Sequence, residues 1–102
     1  MQHFVAEFLG TFFFLSVILN ATSKSATWPG MAPLLIAFGL LAAIATASHA
    51  SGAHLNPAVT IMMAVKGGFP QGNVLPYIAA QIFGGIAALY VYRMVNKSGA
   101  KA

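Results

Sequence analysis

Five polar side chains that could take part in binding or catalysis lie close together between residues 49 and 60 of this 102-residue chain, namely His49, Ser51, His54, Asn56 and Thr60. Within that segment Asn56 precedes Pro57, a typical helix start with asparagine as the N-cap and proline as the first helical residue. The first turn of such a helix leaves backbone N–H groups unpaired and carries a partial positive charge of about half a unit. If that helix end faced a narrow pore, it would repel cations and protons. A helix start of this kind can therefore repel cations and donate hydrogen bonds to a neutral or negatively charged group.

The rest of the composition argues against an enzyme. Glu7 is the only acidic residue, so the chain has no carboxylate pair for acid–base catalysis, and it contains no cysteine for a disulfide or a zinc–thiolate site. His49 and His54 have no third ligand beside them, so no metal site is predicted. The five basic residues are spread over three hydrophilic gaps and form no patch, which argues against nucleic acid as a partner. We expect neither a cofactor nor an enzymatic activity.

Three apolar runs are long enough to hold this segment inside a membrane. They cover residues 4–21, 31–48 and 74–95 of a chain that is 59% hydrophobic and 6% charged. At a rise of about 1.5 Å per residue, each run can cross a hydrocarbon core of about 30 Å. Residues 49–65 form a polar stretch and then an apolar helix, starting at Pro57, that is only about 13 Å long and can cross half a bilayer. The sequence predicts an all-α, multi-pass integral membrane protein with three transmembrane helices and a re-entrant loop that carries a short half-helix.

Three sequence strings resemble a known family. Residues 51–60, SGAHLNPAVT, strongly resemble the first Asn-Pro-Ala loop of aquaporins and glycerol facilitators, the major intrinsic proteins. Residues 6–12, AEFLGTF, are similar to the opening of that family's first helix, and residues 80–85, AQIFGG, to part of its third. Members of the family carry two such halves, inverted relative to each other. Residues 1–102 are therefore expected to form a single aquaporin-like half-repeat.

The resemblance implies that this loop lines a pore for water. The Asn56 amide would donate a hydrogen bond to each passing water or hydroxyl group, and a second such asparagine would interrupt the wire of waters that conducts protons. Backbone carbonyls from Ser51 to Leu55 cannot be satisfied by a helix, so we expect several of them to face the pore as acceptors. The full set of predicted pore residues is His49, Ser51, Gly52, Ala53, His54, Leu55, Asn56, Pro57, Ala58, Val59, Ile36 and Ile44.

The predicted selectivity filter is apolar. In the family, a water-selective filter commonly includes an arginine just after the second Asn-Pro-Ala, and the matching place here is Val59. Family spacing puts the remaining filter places near Ile36, Ile44 and Ala53, with Phe38 as an alternative to Ile36. A ring of these residues lacks the cation and its donors. We expect water as the permeant, with glycerol or another small neutral solute as the next candidate.

Other candidate residues have structural roles. In the family, the glutamate matching Glu7 braces the re-entrant loop by accepting hydrogen bonds from its backbone N–H groups, and we expect the same role here. The alternatives for Glu7 are a proton relay and a side chain that snorkels to the nearby surface. Gly84 lies in a row of small residues spaced four apart, which lets helices approach closely in lipid, although a chain rich in alanine and glycine also produces such rows by chance. His54 is expected to brace the loop and His49 to contact permeants.

The partners expected are the lipid bilayer and a second half-channel. A single half would leave unpaired backbone groups of the half-helix in contact with lipid, so we expect a second, inverted copy, forming an antiparallel homodimer, or another half-channel. The alternatives are a non-conducting fragment, a regulatory partner of a full-length channel, or a small dual-topology exporter. An exporter should carry an acidic residue near the membrane midplane, and Glu7 lies too near one end to fit that role.

Overall fold

Four α-helices account for most of the chain. The computed structural model describes residues 1–96, and the last six positions of the predicted half-repeat lie outside the described residues. The helices, in chain order, are α1 (Gln2–Ala21), α2 (Ala32–Ser51), α3 (Pro57–Lys66) and α4 (Val74–Asn96). Single 3₁₀ turns at Pro29–Met31 and Gln71–Asn73 lead into α2 and α4. The predicted all-α fold class, with three long apolar helices and one short helix, is confirmed.

The three long helices have the length and composition of membrane spans. The most apolar 18-residue stretch has a mean hydropathy of 1.8 in α1, 2.0 in α2 with its preceding turn and 1.7 in α4 with its preceding turn. The 20 residues of α1 extend about 30 Å, which matches the hydrocarbon core of a bilayer. The ten residues of α3 extend about 15 Å, so α3 can cross only half of that core.

Helix α1 is the centre of the bundle, with α2 on one side and α4 on the other, while α3 packs on α4. Glycines permit these close contacts. A Cβ added at Gly84 would lie 2.6 Å from the carbonyl oxygen of Phe8, and one added at Gly39 would lie 2.8 Å from a methyl group of Val17. Because membrane helices associate through close packing rather than through a hydrophobic force, these two contacts fix α2 and α4 against α1.

The distribution of side chains is the reverse of that in a soluble protein. Large apolar side chains such as Phe38 and Leu75 are exposed, at 57% and 76% of their surface. The largest fully buried side chains are polar, namely Glu7 and Thr60. An exposed apolar surface suits contact with lipid, whereas a buried polar group in an apolar medium must be hydrogen-bonded. The interior of this bundle is therefore organised by polar contacts.

The second helix extends three residues beyond the approximate end that the sequence suggested. The sequence analysis ended that helix at Ser48, but α2 continues through His49 and Ala50 to Ser51. It ends where Gly52 takes a left-handed conformation, with φ of 87°, and donates its N–H to the carbonyl of Ser48 at 2.8 Å. The polar side chains of His49 and Ser51 suggested a loop, but the backbone stays helical up to Gly52. Only residues 52–56, between α2 and α3, are non-helical in this segment.

Candidate functional site

The loop between α2 and α3 has an unusual backbone. Gly52, Ala53 and Leu55 have φ angles of 87°, 51° and 56°, in the left-handed region. For residues with a side chain this conformation costs about 1–2 kcal/mol each. Such strain persists only where surrounding contacts hold the backbone in place. The loop must therefore be held by other parts of the chain.

The carboxylate of Glu7, on α1, is the main group that holds the loop. Its Oε2 accepts the backbone N–H of His54 at 2.9 Å and the hydroxyl of Ser51 at 2.6 Å. Its Oε1 accepts the backbone N–H of Leu55 at 2.8 Å and the side-chain amide of Gln81 at 2.9 Å. Glu7 is 0% exposed, so its side chain does not snorkel to the surface. An ionised carboxylate, which only accepts hydrogen bonds, suits four donors arranged in this way.

A second set of contacts extends from Gln81 to α3 and back to the loop. The Gln81 amide nitrogen also donates to the hydroxyl oxygen of Thr60 at 2.9 Å, and that oxygen lies 2.8 Å from Nδ1 of His54. A hydroxyl can both donate and accept, so the tautomer of the imidazole sets which of these two groups donates. We call the side chains of Glu7, Ser51, His54, Thr60 and Gln81 the Glu7 network.

Aromatic rings close one side of the loop. The Tyr77 hydroxyl, from α4, donates to the carbonyl of Ser51 at 2.7 Å. The ring of Tyr77 lies 4.9 Å from those of both His54 and Phe69, measured between centroids. The Ser51 carbonyl, expected to line a pore, is therefore bonded within the subunit, and Ser51 is only 7% exposed. Ser51 braces the loop and does not line an open surface.

Asn56 caps α3 and keeps a donor available. Its side-chain oxygen accepts the N–H of Ala58 at 2.8 Å, and its carbonyl accepts the N–H of Thr60 at 3.1 Å. This cap uses the oxygen of the amide and leaves its N–H₂ group for another acceptor. Asn56 and Ala58 are exposed, while Pro57 is half-buried. The tip of α3 thus presents an amide donor at the surface of the described chain.

The remaining predicted pore residues are spread over α2, the loop and α3 and differ in exposure. Ala53, His54 and Val59 are half-buried, Gly52 is exposed, and Leu55 is buried with its side chain against Gly10. His49 is exposed on the last turn of α2. Ile36 is half-buried, whereas Ile44 and the alternative, Phe38, are exposed. Ile36 and Ile44 stand eight residues apart on α2, about 12 Å along its axis, so one subunit does not place both in a single ring.

Two side chains of the site, Thr60 and Gln81, were not assigned a role from the sequence, and Tyr77, near the start of the third apolar run, suggested an aromatic anchor at the headgroup level. Thr60 and Gln81 lie within the strings that resemble the family, but nothing in either string shows that they bond to each other. Tyr77 carried a weak signal, because it lies four residues before Gln81 and so shares its helix face. All three are buried, at 0%, 3% and 3% exposed.

Comparison with known proteins identifies relatives of the chain. Residues 1–102 match the family model described as Major intrinsic protein. The chain is 40% identical over 94 residues to Aquaporin Z of Bradyrhizobium diazoefficiens, covering 86% of this chain and 39% of the relative. It is 39% identical over 103 residues to Aquaporin NIP1-1 of Arabidopsis thaliana, covering 93% of this chain and 34% of the relative. The chain thus spans about two fifths or less of the length of these relatives. No solved structure gives a significant match.

Proposed function

The chain belongs to the major intrinsic protein family, and we propose that it forms half of a passive membrane pore for water, with glycerol or another small neutral solute as a second permeant. The observation that carries the proposal is the exposed tip of α3, where Asn56 caps the helix with its amide oxygen and keeps its N–H₂ group available. The Glu7 network supports the proposal because it fixes the loop that holds this tip.

The length of α3 supports a position of the tip deep in the bilayer. A helix of ten residues, about 15 Å long, reaches from one membrane face to about the middle of a 30 Å core. At that depth, unpaired backbone groups are tolerated only against protein or a water-filled cavity. The positive end of the α3 dipole would repel cations there, while the Asn56 amide would offer a donor to neutral permeants.

We propose that a second, inverted copy of the chain completes the pore. A single copy would expose the tip of α3 to lipid, where each unpaired polar group costs a few kcal/mol. In an antiparallel dimer the same surface meets itself across a two-fold axis, so one set of residues supplies both halves. Two Asn56 amides would then face the permeants and orient each water oppositely on either side of the centre.

The proposed filter is apolar. Val59 takes the place of the filter arginine, and Ala53 and Ile44 add no donor. Because no cation or donor restricts the opening, we propose that the pore admits glycerol as well as water. His49, exposed at the end of α2, would line the approach to this opening.

Flux through proteoliposomes that contain only this chain tests the proposal. Stopped-flow light scattering after a sucrose jump should show faster water movement than in empty liposomes, and a glycerol jump should show faster re-swelling. Water movement no faster than in empty liposomes would refute a pore made of this chain alone. Restoration of flux by adding a second half-channel would instead support the heteromeric or regulatory alternative.

A further inference from the structure

A groove between α1 and α4, about 420 Å³ in volume, lies beside the tip of α3. Asn56 and Pro57 line one part of it, and Thr11 and Gln81 line another. The remaining lining residues are mostly apolar, such as Phe14 and Ile82. This α1–α4 groove is the place where polar atoms of two helices meet next to the Asn56 cap.

Thr11 and Gln81, which line this groove, each have one buried side-chain atom with no partner among residues 1–96: Oγ1 of Thr11 and Oε1 of Gln81. Their residues are only 2% and 3% exposed. The Gln81 amide nitrogen is already used by Glu7 and Thr60, so only its oxygen is open. A buried acceptor and a buried hydroxyl left unpaired in one groove are unusual, because such groups normally find a protein or water partner.

The free hydroxyl of Thr11 does not follow from helix geometry alone. A threonine on a helix can donate to the carbonyl four residues earlier. Thr46 does so to Ala42 at 2.7 Å, and Thr22, which caps α1, does so to Ile18 at 2.7 Å. Thr11 makes no such bond within the part of the chain that the structure describes. Its hydroxyl therefore lacks the bond within the helix that these two threonines make.

We propose that Thr11 and Gln81 bind one water molecule, or the single hydroxyl group of a small solute, in the α1–α4 groove. The Gln81 oxygen only accepts, and the Thr11 hydroxyl both donates and accepts, so a water that donates to Gln81 and accepts from Thr11 satisfies both atoms. The groove is larger than a water needs, and the Asn56 amide on its edge offers a third polar partner.

The bound water also fixes the orientation of the Gln81 amide. If that amide were reversed, its oxygen would face the carboxylate of Glu7 and its N–H₂ group would face the groove. A water held by Thr11 satisfies the oxygen in the observed orientation and keeps the nitrogen on Glu7 and Thr60. Thr11 is thus a positioning residue for the Glu7 network. The inference goes beyond the proposed pore, since it requires neither a second copy nor flux.

Thr11→Val tests the site through the direction in which it changes the Tm. Valine has nearly the shape of threonine without the hydroxyl. If the hydroxyl is unpaired and dry, its removal should raise the Tm, whereas loss of a bound water should lower the Tm by a few degrees. We expect the lower Tm, with Thr11→Ser near the wild-type value. Thr46→Val, which removes an exposed hydroxyl bonded within its own helix, is the matched control and should change the Tm little.

A high-resolution structure of the full chain in lipid provides the second readout, and it applies even if a variant fails to fold. We expect a water within hydrogen-bond distance of both Thr11 Oγ1 and Gln81 Oε1 in the wild type. The inference is overturned if the groove is dry, if Thr11 turns to the carbonyl of Glu7, or if atoms of another protein chain occupy the place of the water. If this water is present but the chain alone gives no measurable flux, the proposed pore is refuted and the water site is retained.

Discussion

Replacement of Glu7 by glutamine tests how the re-entrant loop is held. In Glu7→Gln one carboxylate oxygen becomes an N–H₂ group, so the two hydrogen bonds that this oxygen accepts are lost. In either orientation a backbone N–H of the loop, that of His54 or that of Leu55, then faces another donor. Hydrogen bonds to a charged group contribute about 1.5–3 kcal/mol each, so the loss is about 3–6 kcal/mol. The Ser51 hydroxyl can turn to accept from the new amide in one orientation, so we take about 3 kcal/mol as the expected local cost.

Local hydrogen exchange is a better readout of this variant than global stability. Glutamine is easier to bury than a charged carboxylate, and this gain opposes the loss of hydrogen bonds in the total free energy of unfolding. Exchange at the amides of His54 and Leu55 reports the loop alone. A local cost of about 3 kcal/mol corresponds to exchange roughly 100-fold faster than in the wild type.

The control for this measurement is Phe13→Leu, a change at an exposed position of the same helix. It should leave exchange at His54 and Leu55 unchanged. Wild-type exchange rates at both amides in Glu7→Gln would refute the conclusion that the carboxylate holds the loop. Water flux measured in the same preparation should decrease when the loop is no longer held, because Asn56 directly follows Leu55.

Two further substitutions test the packing around the site. Gly84→Ala places a Cβ 2.6 Å from a carbonyl oxygen of α1 and should destabilise the bundle by about 1–3 kcal/mol in thermal unfolding. The control, Gly72→Ala, adds a Cβ with no atom within 4 Å and should not change the stability. Equal effects of the two substitutions would contradict the close packing of α1 and α4. Tyr77→Phe leaves the buried carbonyl of Ser51 unpaired and should cost about 1–3 kcal/mol, compared with little change for the exposed Tyr90→Phe. If the two tyrosine variants unfold at the same temperature, the Tyr77 hydroxyl does not support the loop.

Local signals in the sequence predicted the start of α3 well and the end of α2 poorly. Asn56 and Pro57 mark a helix start through their own backbone preferences, and α3 begins at Pro57 as expected. Earlier in the segment, His49 and Ser51 are polar but compatible with a helix. Only the left-handed Gly52 ends α2, and the polarity of the segment hid this boundary.

The contacts that hold the loop depend on distant parts of the chain. Glu7 and Gln81 are 74 residues apart in sequence, and Tyr77 and Ser51 are 26 apart. No local pattern encodes such pairs, because they form only when α4 packs against α1, at the distance that Gly84 allows, and so also reaches the end of α2. Resemblance to the family suggested the contact between Glu7 and the loop. The bonds made by Gln81 and Tyr77 required the structure.

Cross-linking through a single introduced cysteine tests most directly whether two inverted copies meet at the tips of α3. The chain contains no cysteine, so Ala58→Cys, exposed on the first turn of α3, provides a unique thiol. Val65→Cys, 83% exposed near the other end of α3, is the control, because an antiparallel pair would separate these thiols by more than about 20 Å. A short bismaleimide in membranes should give covalent dimers with Ala58→Cys and only monomers with Val65→Cys. Dimers with Val65→Cys alone, or monomers with both in membranes that still conduct water, would contradict an inverted pair meeting at Asn56.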